Sequence, residues 1–245
     1  MLLRRISSHV RNENWFAVFV DFLVVVVGLV IGFQIDTWWE GRKEARLEGA
    51  YLSEIREDFD ANELALGVSI AGTERNILSM IALLEESSLA TPTMSVAELN
   101  EKFGSIQSMP TFVPISRTYT NLTGSGDLKL IQNRELKNAL AEYYASADVI
   151  MLVQQTHEME LVQTFQPYII DNLDYVAVRY SRVDEFPLPP PVDDASILEV
   201  LNTRQFRNIL TQKWTISTDL LRQYQDQLES TNNIIALLEL GSLSP

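Results

Sequence analysis

WFAVFVDFLVVVVGLVIGFQI, running from Trp15 to Ile35, is the stretch on which the fold turns: 21 residues interrupted only by Asp21 and Gln34. A helix of that length, at about 1.5 Å per residue, matches a hydrocarbon core of about 30 Å. The abundance of valine does not count against helix. In lipid every backbone polar group must be satisfied within the segment, so a single span has no other solution. Trp15 at one end and Trp38 with Trp39 at the other mark the two interfacial belts. A cleavable signal peptide is the competing reading. Its apolar region would be shorter, about 7 to 15 residues, and a small-residue cleavage site would follow where the chain has Gln34-Ile-Asp-Thr-Trp38-Trp39. The expectation is therefore a retained anchor at 15–39, between a short basic tail at 1–14 and an acidic domain at 40–245.

The flanks set orientation. Arg4, Arg5 and Arg11 precede the span, and Arg42, Lys43 and Arg46 follow it. The tail adds its free amine, and moving three arginines outward against a membrane potential costs about 2.3 kcal/mol per charge per 100 mV. The expected topology puts the N-terminus in the cytoplasm and the large domain outside, periplasmic on a bacterial inner membrane.

Two features within the span bear on partners. Gly28-Leu-Val-Ile-Gly32 is a G-x-x-x-G, which brings two glycines to one helix face and admits a second helix at close range; plain anchoring is the alternative. Asp21 costs about 2.5 to 3.5 kcal/mol if ionised at a helix centre. Either it meets a partner or it sits near the interface, protonated or reaching water.

Composition narrows the chemistry. The chain has 245 residues, a net charge of −14 and no cysteine. Residues 40–245 hold 16 basic and 30 acidic residues and so the whole of that charge. Nucleic acid is excluded as a partner, because phosphate neutralisation needs clustered Lys and Arg. The lack of cysteine removes disulfides, thiolate nucleophiles and cysteine metal sites. Only His9 and His157 remain as imidazoles. No catalytic residue, metal ligand or cofactor site is expected.

Beyond the span the periodicity is helical. Leu47, Tyr51, Leu52, Ile55, Phe59 and Leu66 recur at spacings of three, four and seven, and the pattern runs on through Ile77 to Leu84. It stops at Thr91-Pro92. Ser95-Val-Ala-Glu98 has the spacing of a capping box. Met109 to Pro114 reads as loop, Ser116 to Leu122 as a short helix, and Gly124-Ser-Gly126 as a turn. Helix is expected from Asn133 to about Asn172, and again from Ser196 or Thr203 to Leu240. The connector at 182–194 contains Pro187 and Pro189-Pro-Pro191 and cannot be helical inside. The fold class is all-α: one transmembrane helix followed by an antiparallel extramembrane bundle of three to four long helices.

Candidate chemical motifs in this domain fail on spacing. Asp58-Phe-Asp60-Ala-Asn62 matches the start of a calcium loop, but Glu63 replaces the needed glycine and Ser69 the closing glutamate. A solvated acidic helix face is the expected reading. His157-Glu-Met-Glu160 is expected to be a surface histidine on a helix. Thr123-Gly-Ser-Gly126 lacks the Gly-Lys of a phosphate loop.

The segment from Asp21 through Gly28, Gly32 and Gln34 to Trp38-Trp39-Glu40 resembles the opening of a widespread group of bacterial single-span membrane proteins of unknown function. Those proteins show an apolar run, a Gln-Ile step, Asn-Trp-Asn-Glu and a charged helix; Asp36-Thr-Trp38-Trp39-Glu40 departs from that ending. Thr118-Tyr119 to Leu130-Ile131 is similar to a second common segment. The resemblance implies an envelope location and a helical fold, and it lends no activity. The functional expectation is an accessory or scaffolding subunit, contacting other transmembrane subunits or itself through the Gly28/Gly32 face. By type, respiratory or photosynthetic complexes are natural hosts. The alternative is an extracytoplasmic ligand-binding or sensor module without its own output domain.

Overall fold

The computed structural model describes residues 15–179 and 188–242, and every regular element among them is helical. The first helix, α1, spans Trp15–Glu86. It is followed by α2 (Val96–Ser105), α3 (Arg117–Ser125), a 3-10 turn (Asp127–Leu130) and α4 (Arg134–Glu160). A π turn (Leu161–Phe165) leads into α5 (Gln166–Asn172), and α6 (Ser196–Leu201) and α7 (Arg204–Ser242) complete the chain. Two compact units result, one comprising residues up to Ser53 with Lys129–Ile131, the other Glu54–Leu128 with the residues from Gln132 onward.

In the first unit, α1 carries an 18-residue window of mean hydropathy 2.2, none of it buried in the chain. It is long and apolar enough to cross a membrane. The large side chains there are exposed all round, from Val26 at 40% to Phe33 at 65%.

In the second unit three long helices bury stripes of residues at alternating spacings of four and three. On α1 these include Ile55, Phe59, Asn62, Leu66, Ser69, Thr73, Asn76, Met80 and Leu83; on α4, Leu136, Leu140, Tyr143, Ala147, Ile150, Gln154 and His157. On α7 the stripe runs Phe206, Leu210, Lys213, Ser217, Leu220, Tyr224, Gln227, Thr231 and Ile234. Such spacing keeps one helix face toward a neighbour. Paired residues give the directions. Ser146 donates to Gln227 (2.6 Å) and Tyr224 to Gln154 (2.8 Å), so α4 and α7 run oppositely. Arg56 bonds Glu239 (2.7 Å) and Arg207 bonds Ser87 (2.9 Å), so α1 and α7 do too. Phe59 stacks at a tilt on Tyr143 (4.7 Å), and Leu66 shares a cluster with Ile150, so α1 and α4 run the same way.

Two helices that run the same way need a return path between them, and residues 108–116 supply it without helix. This strap runs against α1, and α1 receives it with polar side chains. Asn76 Nδ2 donates to the Ser108 carbonyl (2.7 Å) and Ser69 Oγ to that of Thr111 (3.0 Å). Asn62 pairs with both backbone groups of Ile115, accepting from its N–H (2.7 Å) and donating to its carbonyl (3.1 Å). Asp58 accepts from the Thr118 N–H (3.0 Å) and Arg117 (3.2 Å), capping the start of α3. From the other helices, Gln154 pairs with both backbone groups of Phe112 (2.8 and 2.9 Å), and the Tyr224 hydroxyl donates to the Pro110 carbonyl (3.1 Å). Peptide groups of an irregular segment laid against helices still need hydrogen-bond partners, and these side chains supply them.

The solvated acidic face expected at 58–62 is therefore half wrong. Asp58 is 3% exposed and Asn62 fully buried. Asp60 alone of the three is exposed, paired with Arg56 at 2.8 Å. The capping box at Ser95 forms as expected, with Ser95 and Glu98 bonding each other's backbone N–H (3.3 and 2.8 Å). Gly126 closes α3 in the left-handed conformation (φ 77°), where a side chain would be strained. The segment expected as one helix from 133 to 172 contains the π turn instead. Its extra residue sets Phe165 rather than Thr164 toward the core, where Phe103 stacks between Phe165 and Phe206 (5.5 Å each).

Asn62→Leu removes both bonds to the partly buried Ile115 backbone and is expected to cost about 1 to 3 kcal/mol in urea unfolding, since each hydrogen bond contributes about 0.5 to 1.5 kcal/mol net. Asp60→Asn, at an exposed pair, is expected to change stability by less than about 1 kcal/mol.

Candidate functional site

Three places stand out for groups that nothing among the described residues satisfies or covers. The first is one face of the N-terminal helix. At 100° per residue Asp21, Gly28 and Gly32 fall within an arc of about 40°. A Cβ added at Gly28 or at Gly32 would meet nothing within 4 Å, so neither glycine serves packing among the described residues. Asp21 is half-buried, and its Oδ2 is shielded from solvent without a hydrogen-bond partner. Trp38 and Trp39 are 57% and 64% exposed and meet edge to face at 5.8 Å. Arg42 lies over the Trp38 ring (4.9 Å). Trp15 begins the helix. Its side chain, and Arg4, Arg5 and Arg11, lie outside the described residues.

The second is a buried polar level between two apolar clusters of the second unit. Along α4 and the π turn it lies between Ile150 and Phe165, along α7 between Leu210 and Leu220. It comprises His157, Glu160, Lys213 and Trp214, whose ring nitrogens, carboxylate oxygens, ammonium and indole N–H are all buried with no hydrogen-bond partner. His157 is 2% exposed, which corrects the surface histidine expected from sequence; Lys213 is 1% exposed and stands 4.7 Å over the Phe165 ring. Burial governs the protonation of all three ionisable groups. It pulls His157 down to about 4, with the Lys213 charge adding to the effect. It lowers Lys213 to about 8 against the pull of Glu160, and raises the Glu160 carboxyl despite Lys213. Sequence reasoning missed Lys213, although it interrupts the stripe Phe206, Leu210, Ser217, Leu220 at a core position. Stripe membership was the available signal.

The third is a cleft of about 530 Å³ between α1 and residues 105–110, with Gly72 and Arg75 on its helix side and Met109 and Pro110 opposite. No sequence motif announced it.

Among the described residues no group of three His, Asp or Glu side chains is placed to hold a metal ion. With the geometry in view, comparison with protein-family models, with curated proteins and with solved structures finds no match.

The buried imidazole makes stability depend on pH. The unfolded chain binds a proton at His157 near 6.5 and the folded chain only near 4, so stability is lost as pH falls through that window. Glu160 acts in the opposite sense, because its folded carboxyl holds its proton more tightly than the unfolded one. Denaturant midpoints of the wild type and His157→Gln, compared from pH 7 to 4, isolate the histidine: the variant is expected to lose less stability on acidification. Identical acid profiles would show that His157 is not held neutral by burial.

Proposed function

We propose that the protein is a membrane-anchored accessory subunit without catalysis of its own, whose N-terminal helix packs against another transmembrane helix while its acidic helical bundle stands on the aqueous side. One observation carries this reading. Among the described residues the apolar helix around Phe19 to Ile35 has no partner, and its single acid shares a face with its two glycines. Exposed apolar surface on that scale belongs in lipid or against protein. The glycines remove side-chain bulk where a second helix would approach, and Asp21 on the same face gains from a donor on that helix. In hydrocarbon the two effects reinforce each other, because a close approach is what brings a donor within reach of a short carboxylate.

The three tail arginines favour an N-terminus on the cytoplasmic side of a bacterial inner membrane, with the large domain periplasmic. The −14 charge suits a basic partner surface and disfavours anionic lipid head groups. The likeness to bacterial single-span proteins agrees with an envelope location. Larger respiratory or photosynthetic assemblies remain the kind of host proposed.

Native gels of gently solubilised membranes test the face. Gly28→Leu with Gly32→Leu, and Asp21→Leu, are expected to release the protein to a faster-migrating form, whereas Gly28→Ala with Gly32→Ala and Asp21→Asn are expected to retain the complex. Leucine variants that co-migrate with the wild-type complex would refute packing through this face.

A further inference from the structure

The cleft beside Gly72 has the composition of a ligand site. Its volume of about 530 Å³ lies within the usual range for small-molecule pockets, roughly 300 to 1,000 Å³. The apolar lining is defined: Val68 and Leu78, 66% and 65% exposed, stand on α1, with Met109 and Pro110 across from them. The polar side is equally defined. Arg75 is the single cation among the lining residues, and no acid lines the cleft. Among the described residues the Arg75 side chain makes no hydrogen bond or ion pair. One helical turn beyond it, the Ser79 hydroxyl lines the cleft, 3.1 Å from Ser105 Oγ.

Gly72 shapes the floor. A Cβ there would lie 2.7 Å from Pro110 Cγ, so the strap approaches this closely only because the residue is glycine. The same position lies 3.8 Å from Arg75 Nη2, which places the guanidinium over the glycine at the edge of the apolar walls. Arg75 stands between Val68 and Leu78 along α1, a cation without a counter-ion among the described residues in a chain with 33 acids and 19 bases. An anion entering the cleft meets a planar fork of donors that fits a carboxylate.

We propose that this cleft binds an amphipathic monoanion, an unbranched apolar chain ending in an acidic head group, with Arg75 and Ser79 taking the head and Val68, Leu78, Met109 and Pro110 covering the chain. One cation and no acid select a single negative charge over a dianion or a zwitterion. Four apolar side chains select an alkyl tail over a sugar. The head group has two sources, a free alkyl carboxylate or a bilayer lipid with an anionic head. The site does not depend on the proposed role of the span.

The test uses the full chain in phosphatidylcholine nanodiscs and a ten-carbon alkyl carboxylate carrying a diazirine, with labelled peptides mapped after irradiation. Labelling is expected within 68–79 and 105–110, displaced by decanoate and at least about tenfold less by decanol, the factor that loss of a charge-assisted hydrogen bond implies. Arg75→Gln is expected to weaken labelling about tenfold and Arg75→Lys to retain part of it. Val68→Glu, which sets a charge in the tail trough at an exposed helix position, is expected to abolish it and serves if the arginine variant fails to fold. Discs containing phosphatidylglycerol separate the sources: protection by the lipid assigns the site to a bilayer head group, and undiminished labelling assigns it to the free acid. Labelling confined to other peptides, equal displacement by decanol, or folded Arg75→Gln and Val68→Glu proteins that label like wild type would each overturn the proposal.

Discussion

The pairing of Asn62 with both backbone groups of Ile115 is the contact around which the second unit is organised. The paired contacts make α1 and α4 run the same way, so the chain must travel back between them. A helical return would satisfy its own peptide groups. The extended return at 108–116 cannot, and it lies against three helices whose interior positions would ordinarily be apolar. Asp58, Asn62, Ser69 and Asn76 on one side and Gln154 with Tyr224 on the other replace the hydrogen bonds that water or a helix would have given. The polar residues within the stripes are therefore structural members. Phe112 fills the apolar space beside Leu66, Ile150, Leu220 and Tyr224 because Gln154 holds its backbone there.

Much of this was legible in the sequence where the signal is local. The helical repeat, the capping box at Ser95 and Glu98, the turn at Gly126 and the non-helical Met109 to Pro114 depend on neighbours a few residues away. What failed depends on partners far along the chain. Asp58 and Asn62 read as a solvated face because polar side chains on a helix usually are; their partners stand 60 and 53 residues further on. Position was the better guide than polarity, since Asn62, Ser69 and Asn76 follow the same repeat as Ile55, Phe59 and Leu66. His157 likewise completes the stripe of Ile150 and Gln154. The π turn was invisible because a wider turn leaves the overall helical pattern of residues nearly unchanged.

The places left unsatisfied differ in kind from the strap. His157, Glu160 and Lys213 form a sealed polar level whose protonation is set by burial. The Gly72 cleft is open, with one cation and apolar walls. The Asp21, Gly28 and Gly32 face has no hydrogen-bonding or packing partner among the described residues and becomes intelligible only with something laid against it. Of the three it bears most directly on the proposed role, because it joins a surface that water disfavours to a carboxylate that lipid disfavours. A protein helix offering a donor at close range answers both.

The proposed role as a subunit stands on that face finding a partner, and the mass of the particle in its own membrane measures this most directly. Native mass spectrometry of the protein released from native membranes in a mild detergent is expected to give an assembly heavier than the 27.8 kDa chain, dissociating to that mass on activation. A particle of 27.8 kDa, carrying lipid and no other polypeptide, would contradict the account.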